Sequence, residues 1–193
     1  FQPTTFTYSN IGPKWTFGWL SYVEDDPSIP TGAQVVNVYR RGGGRESYSV
    51  PSGAAPQTSL PQLRSRATVT RTGASAYTRT LPDGSIEIFG QPDGAISAPR
   101  KVLLTEFKDP QGNSVKLMYD SQYRLAAVVD AVGQVTTFSY SSADPLKITK
   151  VTDPFGRSAV LDYDSLGRLS SITDVIGITS RFTYGESDFI TSL

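Results

Sequence analysis

Apolar and polar residues alternate along several short segments in the C-terminal half of the chain. In residues 114–119, Val115, Leu117 and Tyr119 fall on one side of the pattern, and residues 158–163 repeat it. Strict alternation of this kind is typical of a strand with one buried face. These segments are therefore predicted to be half-buried β-strands.

The same arrangement of residues recurs four times in this half. Each unit begins with Asp, carries Gly three positions later, Leu or Phe eight positions later and Tyr ten positions later, and the starting aspartates lie 21, 23 and 21 residues apart. Units of this length are too small to bury an apolar face alone, so they are expected to stack on their neighbours. The positions that define the repeat are Asp109, Gly112, Tyr119, Asp130, Gly133, Tyr140, Asp153, Gly156, Tyr163, Asp174, Gly177 and Tyr184.

The repeat predicts a series of β-hairpins with a tight turn at each end. An Asp followed three residues later by Gly favours a turn, because the Asp side chain accepts local backbone hydrogen bonds and Gly tolerates a positive φ angle. A second turn is predicted at residues 120–123 and 164–167. Apolar residues five and two positions before each starting Asp do not fit strict alternation, which predicts a bulge or a sharp twist in the return strand. These residues are Leu104, Phe107, Leu125, Val128, Ile148, Val151, Leu169 and Ile172.

The residues before the repeat are predicted to form further strands without a regular period. Turn signals rich in Gly and Pro separate them, residues 51–61 are predicted to be a mobile loop, and helix is expected to be nearly absent. We expect a β-rich N-terminal module at residues 1–98 and a repeat sheet at residues 99–193. The predicted strands of the first module and its junction are residues 15–23, 33–40, 45–50, 66–72, 75–80, 85–89 and 101–107.

The end of the sequence still follows the repeat pattern. Ile190 and Leu193 occupy the apolar positions that precede a starting Asp in the earlier units. We therefore expect a truncated array, with further units in a longer parent protein.

The amino-acid composition excludes several kinds of catalytic and metal-binding site. The absence of cysteine and histidine excludes disulfides, thiol nucleophiles, histidine-dependent catalysis and His-ligated zinc. The 18 basic and 18 acidic residues give no net charge, which argues against a nucleic-acid partner. No apolar run is long enough for a transmembrane helix, and no cofactor is expected.

Two charged runs stand out locally. Residues 63–79 contain four arginines and no acid, which favours a solvated face or an acid-pairing edge over a polyanion site. The acidic run at residues 24–26 is the better candidate for binding a cation, although a solvated loop before Pro27 is favoured. The four arginines are Arg64, Arg66, Arg71 and Arg79.

The repeat motif resembles the YD repeats of the Rhs family of bacterial proteins and of the teneurins. The resemblance rests on the Asp-x-x-Gly segment with its later Tyr, on Tyr-Asp at residues 119–120 and 163–164, and on Gly-Arg-Leu at residues 167–169. It covers residues 99–193. The chain departs from the motif where Ser141 and Gly185 follow the tyrosines.

The resemblance implies a fold and a role. YD repeats form a long sheet that spirals into a hollow shell, which encloses a toxin in Rhs proteins and serves as an adhesive scaffold in teneurins. The chain is accordingly expected to be all-β, with antiparallel hairpins in one open, curved, spiralling sheet that forms part of such a shell. It is expected to be a non-enzymatic structural segment of a secreted or cell-surface protein, with the remaining repeats or the cargo of the parent as partners.

The repeated tyrosines and aspartates would also suit other roles. The tyrosines would suit a ladder that stacks sugars or bases, but one Tyr per unit beside Leu or Phe favours packing between strands. The turn aspartates would suit calcium, but one Asp per unit is too few for a site, so neither metal nor cofactor binding is expected. A carboxylate pair for glycoside hydrolysis is formally possible, but the sequence singles out none.

An aromatic cluster near the N-terminus offers a second hypothesis. Trp15, Phe17 and Trp19 would share one face of a predicted strand, where they would either bind a glycan or cap the end of the sheet. A glycan- or protein-binding β module is therefore the alternative function. A third possibility is self-association into a homo-oligomer through open sheet edges.

Overall fold

The computed structural model describes residues 8–186 and 188–192, and every regular element in them is a β-strand. The strands pair in antiparallel ladders that do not close into a barrel. The expected fold class, all-β with antiparallel hairpins in an open sheet, is confirmed. Among the described residues, no helix is long and apolar enough to cross a membrane. Leu193, on which the expected truncation partly rests, lies outside the described residues.

Tertiary contacts divide the chain into two compact units. One consists of Gly18–Leu117, and the other combines Phe1–Phe17 with Met118–Leu193. The sequence placed a module boundary between residues 98 and 99 instead. That position immediately precedes strand Arg100–Lys108, which pairs with strands on both sides within the first unit. The opening of the repeat therefore shares a unit with the strands that precede it.

The unit Gly18–Leu117 is built around one long central strand, β8. The N-terminal half of β8 pairs with β1 and its C-terminal half pairs with β9, while its other edge pairs with β7. From β7 the ladder continues through β6 and β5 to β4, and from β1 through β2 to β3. The strands are β1 (Tyr22–Asp25), β2 (Gln34–Tyr39), β3 (Arg45–Val50), β4 (Gln57–Thr58), β5 (Thr68–Gly73), β6 (Ala76–Thr80), β7 (Ile86–Pro92), β8 (Arg100–Lys108) and β9 (Ser114–Tyr119), which begins in this unit.

Alternate residues of these strands point into a common core. Val23, Val36, Val69 and Phe89 are all completely buried. The pattern is clearest in β3, where Glu46 and its alternate neighbours are buried and the residues between them are exposed. The same alternation carries charged side chains into the core, where each needs a partner.

The second unit is a meander of short strands. β10 to β15 pair in sequence order, and β16 pairs with β17 separately. Leu125, Ile148 and Leu169 are its most buried aliphatic residues. The strands are β10 (Leu125–Val129), β11 (Val135–Tyr140), β12 (Ile148–Thr152), β13 (Ser158–Tyr163), β14 (Leu169–Thr173), β15 (Thr179–Arg181), β16 (Thr183–Tyr184) and β17 (Ile190–Ser192).

Two predictions for the N-terminal half are wrong. The strand expected at residues 15–23 begins only at Tyr22, and residues 51–61 are not all loop, because β4 pairs with β5. The shared face of Trp15, Phe17 and Trp19 does not exist, since none of them lies in a strand.

The two tryptophans make separate contacts instead. The Trp15 indole N–H donates to the Tyr184 hydroxyl at 3.0 Å, within the second unit. The Trp19 ring packs under the Arg41 guanidinium, 4.5 Å from its centroid, and Arg41 also donates to the Gly18 carbonyl. These side-chain contacts, rather than a ladder, fix the backbone of residues 15–19.

The arginine-rich run is only partly a solvated face, because Arg64 and Arg66 are exposed whereas Arg71 and Arg79 are buried. Arg71 and Arg79 are only 1% and 4% exposed. Arg79 donates to Glu46 and Glu87 at 2.9 Å each and to the Tyr48 hydroxyl at 3.0 Å. The acid-pairing alternative therefore holds for Arg79.

Arg71 binds backbone groups through the two terminal nitrogens of its guanidinium. It donates to the backbone carbonyl oxygens of Gly32, Pro51 and Gly53 at 2.9, 3.1 and 3.2 Å. Three loop carbonyls thus converge on one buried cation. Arg71 holds two loops in place without an acidic partner.

The acidic run at residues 24–26 is not a solvated loop either. Asp25 is buried in β1, where it pairs with Arg100 at 2.6 Å and accepts a hydrogen bond from the Tyr77 hydroxyl at 2.6 Å. Burial is the largest cause that raises the pKa of Tyr77, and the bond to Asp25 adds to it. Tyr77 therefore remains a protonated donor.

Replacing Arg79 with Leu is expected to lower the free energy of unfolding by about 3–5 kcal/mol, because Glu87 would be left buried without its cation and Glu46 would keep only Arg40. Urea denaturation followed by circular dichroism measures this loss. The exposed Arg64 is the matched control from the same run, and Arg64→Leu is expected to change the free energy by less than about 0.5 kcal/mol. Equal effects of the two variants would contradict the role assigned to Arg79.

Candidate functional site

The four Asp-x-x-Gly segments form turns of the same construction. In each, the Asp side chain accepts hydrogen bonds from the backbone N–H groups two and four residues later, at 2.8–3.0 Å. The Gly lies at φ angles between 80° and 90°, which favour residues without a Cβ atom. The turn-forming residues are Asp109 with Gly112, Asp130 with Gly133, Asp153 with Gly156, and Asp174 with Gly177.

The turns at the opposite ends of the hairpins have the same backbone pattern. Asp120 and Asp164 accept the corresponding N–H groups at 2.9–3.0 Å. Here an arginine four residues later adds a side-chain contact: Arg124 and Arg168 each donate Nε–H to the turn Asp at 2.7 Å. The Asp of the Tyr-Asp pair therefore has two tasks, since it closes its own turn and orients an arginine.

A β-bulge lies near the start of two return strands, β14 and β12. Asp162 and Tyr163 are consecutive in β13, but their partners in β14 are Ser171 and Leu169. Ser170 is therefore an extra residue in β14. In the same way, Thr149 is an extra residue in β12. An extra residue restores the inward direction of the side chain that precedes it. The bulge predicted from the apolar residues five and two positions before each Asp is confirmed in these two strands.

The repeat tyrosines bind the backbone where the return strands begin. Tyr140, Tyr163 and Tyr184 donate their hydroxyls to carbonyl oxygens at 2.7, 2.5 and 2.7 Å. In every case the acceptor belongs to the aliphatic residue 15 positions earlier, which starts the preceding return strand. The acceptors are the carbonyl groups of Leu125, Ile148 and Leu169. We call this contact the tyrosine latch.

The turn arginines cover the latched rings. The guanidinium carbon of Arg124 lies 4.6 Å from the centroid of the Tyr140 ring, and that of Arg168 lies 4.7 Å from the Tyr184 ring. Such distances are those of cation–π pairs. Each Asp–Arg pair thus reaches from its own turn to the tyrosine of the next strand pair.

The middle hairpin uses different residues for the same contact. Tyr140 is followed by Ser141 rather than Asp, and the turn is longer. Lys147 pairs with Asp144 and lies 5.7 Å from the Tyr163 ring centroid. The departure from the motif replaces the arginine with Lys147, whereas the tyrosine latch of Tyr163 is retained.

An N-terminal segment, residues 9–15, crosses the starts of the latched return strands, and we call it the strap. Ser9 accepts the N–H of Leu125 at 2.8 Å and contacts the Tyr140 hydroxyl at 2.8 Å. Because the Tyr140 hydroxyl donates to Leu125, the Ser9 hydroxyl is the donor to Tyr140. The strap therefore binds the start of the first return strand and its tyrosine together.

The strap continues to the starts of the next two return strands. The Asn10 carbonyl accepts the N–H of Ile148 at 3.0 Å, and Gly12 passes so close to Leu169 that a Cβ atom would lie 3.2 Å from its nitrogen. At the third tyrosine, the Trp15 indole donates to Tyr184 and meets Phe182 edge-on, with 5.1 Å between ring centroids. The strap thus joins the starts of three successive return strands.

The electrostatics of the site favour the bonded protonation states. Burial raises the pKa of Tyr140 to about 12, so the hydroxyl remains a donor. Burial alone would raise the pKa of Asp164, but hydrogen bonds from the backbone and guanidinium of Arg168 outweigh it and lower that pKa. The same balance lowers the pKa of Asp120. Neutral tyrosine and ionised aspartate are therefore the states that the site stabilises.

The structure brings together most of the repeat positions singled out from the sequence and separates the aromatic trio. The turn Asp and Gly residues lie at hairpin ends, and all four repeat tyrosines are half-buried. Sequence reasoning missed the strap residues and the arginines. The spacing from Asp120 to Arg124 and from Asp164 to Arg168 was a signal for the arginines, whereas Ser9 and Asn10 carry no repeated pattern. In the part of the chain that the structure describes, no group of three or more acidic residues is placed to hold a metal ion.

Replacing Tyr163 with Phe is expected to lower the free energy of unfolding by about 1 kcal/mol, because the Ile148 carbonyl loses its donor. Thermal and urea denaturation measure the change. Tyr123→Phe is the control in the same unit, because the ring contact of Tyr123 with Tyr8 does not use the hydroxyl. An effect of Tyr163→Phe no larger than that of the control would show that the latch contributes nothing.

Replacing Asp164 with Asn is expected to destabilise the chain at pH 7 and to do so less at low pH. The pKa of Asp164 is lower in the folded chain than its unfolded value of about 3.9. The contribution of the carboxylate is therefore complete above pH 4 and disappears as the pH falls through the lowered pKa. Urea titrations between pH 2 and pH 7 measure the difference between the two proteins. A difference that stays constant to pH 2 would contradict the assignment.

Comparison with known proteins agrees with this geometry. Residues 119–158 match the family model of the RHS repeat. A search of curated proteins gives no significant match. The matched segment contains the first Asp–Arg pair with the tyrosine that it covers, and a repeat of this kind points to a structural role. Residues 119–158 therefore contain a repeat of the Rhs/YD type.

Proposed function

We propose that the chain is a non-enzymatic wall segment of a larger Rhs-type protein. The observation that carries the proposal is the recurrence of one contact, the tyrosine latch, at the starts of three successive return strands with the same separation of 15 residues. A contact that repeats along the chain extends a sheet, whereas a catalytic centre needs one unique arrangement. The polar side chains of the repeat contact one another and the backbone of the repeat.

The wall is proposed to enclose a cargo or to present an adhesive surface outside the cell. The match of residues 119–158 to the RHS repeat supports this, because Rhs-repeat proteins are generally extracellular or surface-associated. The absence of cysteine and histidine from the sequence leaves few groups for catalysis. The partners would be the other repeats of the parent protein and its cargo.

The alternative of a glycan-binding face at Trp15, Phe17 and Trp19 loses its basis. It required three aromatic rings on one strand face, and that strand is not formed. Trp15 is engaged with Tyr184 and Phe182, and Trp19 is engaged with Arg41. Self-association through sheet edges has no specific contact in its favour and stays a prediction.

Limited proteolysis of the complete parent protein tests the enclosing wall. The segment that follows the repeats is expected to resist protease in the native protein and to become accessible in a Gly156→Val variant, because a branched side chain strains the turn at φ 80°. Gly18→Ala is the control, since Gly18 has open space around it and no positive φ angle.

The outcomes separate the two forms of the proposal. Equal accessibility in the native protein and in Gly156→Val would contradict enclosure and leave the adhesive scaffold. Failure of surface biotinylation to label the parent on intact cells would contradict both forms.

A further inference from the structure

A groove runs along the free edge of β3. Among the described residues, β3 has a ladder with β2 alone. Consecutive residues from Ser47 to Pro51, from both faces of the strand, border the groove on this side, and Thr58 and residues 60–63 border it on the other. A groove lined by consecutive strand residues lies beside the strand, where unpaired backbone N–H and C=O groups point.

Polar contacts at both ends tie the two walls together. At one end, the Ser65 hydroxyl donates to Glu46 at 3.1 Å. At the other end, Arg71 holds the carbonyl groups of Pro51 and Gly53. The enclosed volume is about 660 Å³. The five residues of the β3 wall span roughly 16 Å at about 3.3 Å per residue, so the groove has the length of a strand of about five residues.

The groove walls carry no charge and offer apolar side chains. The lining consists of Ser, Thr, Tyr, Gln, Pro and aliphatic residues. Leu60 and Leu63 are each 86% exposed on its outer wall. Large aliphatic side chains at such exposure beside a concave surface mark sites of interaction.

A basic hollow of about 370 Å³ adjoins one end of the groove. Gln62 lines both, and the hollow also contains Arg40, Arg45 and Arg64. Its single acid, Glu46, is already paired with Arg79 and Arg40. Arg45 and Arg64 are exposed and take part in no ion pair within the described residues. The end of the groove therefore carries an excess of positive charge.

We propose that this groove binds an extended peptide strand that is uncharged over about five residues and ends in a carboxylate. The strand pairs with the free edge of β3, places alternate apolar side chains against Leu60 and Leu63, and sets its carboxylate between Arg45 and Arg64. Arg45 begins β3, so an antiparallel strand brings its C-terminal end to the arginines. Backbone pairing supplies affinity, and the leucines and arginines supply specificity.

Fluorescence polarisation tests the proposal with an N-terminally labelled peptide of sequence GTVTVTE and the full chain. Saturable binding is expected. A peptide with the valines replaced by proline is expected not to bind, because proline cannot donate to the ladder. Replacing the C-terminal carboxylate and the glutamate with amides is expected to weaken binding about tenfold, since charge-assisted hydrogen bonds are lost.

Variants of the chain locate the binding site. The double variants Leu60→Glu/Leu63→Glu and Arg45→Glu/Arg64→Glu are each expected to weaken binding at least about fivefold. Ile96→Glu and Lys116→Glu are the matched controls, because Ile96 is 91% exposed and Lys116 is exposed. All these positions are at the surface, so thermal midpoints close to that of the unmodified chain are expected.

Three results would overturn the proposal. The first is an absence of saturable binding by the unmodified chain. The second is equal binding of the proline peptide, which would exclude strand pairing. The third is equal weakening by the control variants, which would place the peptide elsewhere.

Discussion

The hydrogen bond from a tyrosine hydroxyl to the carbonyl group at the start of a return strand is the contact on which the repeat depends. A bulge there, as in β12 and β14, interrupts the regular ladder and leaves backbone groups in need of partners. The tyrosine 15 residues later donates to the carbonyl group of the first residue of the strand, at Leu125, Ile148 and Leu169 alike. Because the donor lies in the next outgoing strand, the bond fixes the register of one hairpin on another.

The other repeated residues are arranged around this contact. The bulge lets Leu169 turn inward while Ile172 keeps its position in the ladder with β13. The turn Asp164 orients Arg168, and Arg168 covers the ring of Tyr184. The strap supplies partners that the repeat itself lacks, above all for the N–H groups of Leu125 and Ile148. The repeated residues thus build a sheet.

The sequence predicted the parts of the fold that depend on local pattern. Alternation, turn residues and the paired aliphatic positions placed the hairpins and the bulges correctly, because neighbouring residues determine them. The predictions from the sequence were wrong where residues distant in the chain determine the structure. Arg79 and Asp25 are buried because Glu46 and Arg100, which are distant in the sequence, neutralise them. Trp15 leaves the predicted strand because Tyr184 and Phe182 engage it. The strap was missed for the same reason.

The most direct measurement of the latch is the carbonyl carbon chemical shift by NMR in three variants, Tyr140→Phe, Tyr163→Phe and Tyr184→Phe. A carbonyl that loses its hydrogen-bond donor changes its resonance. The account predicts that each variant shifts chiefly the carbonyl 15 residues earlier, at Leu125, Ile148 and Leu169 respectively. Shifts scattered without regard to this spacing, or no shift at these three carbonyl groups, would contradict it.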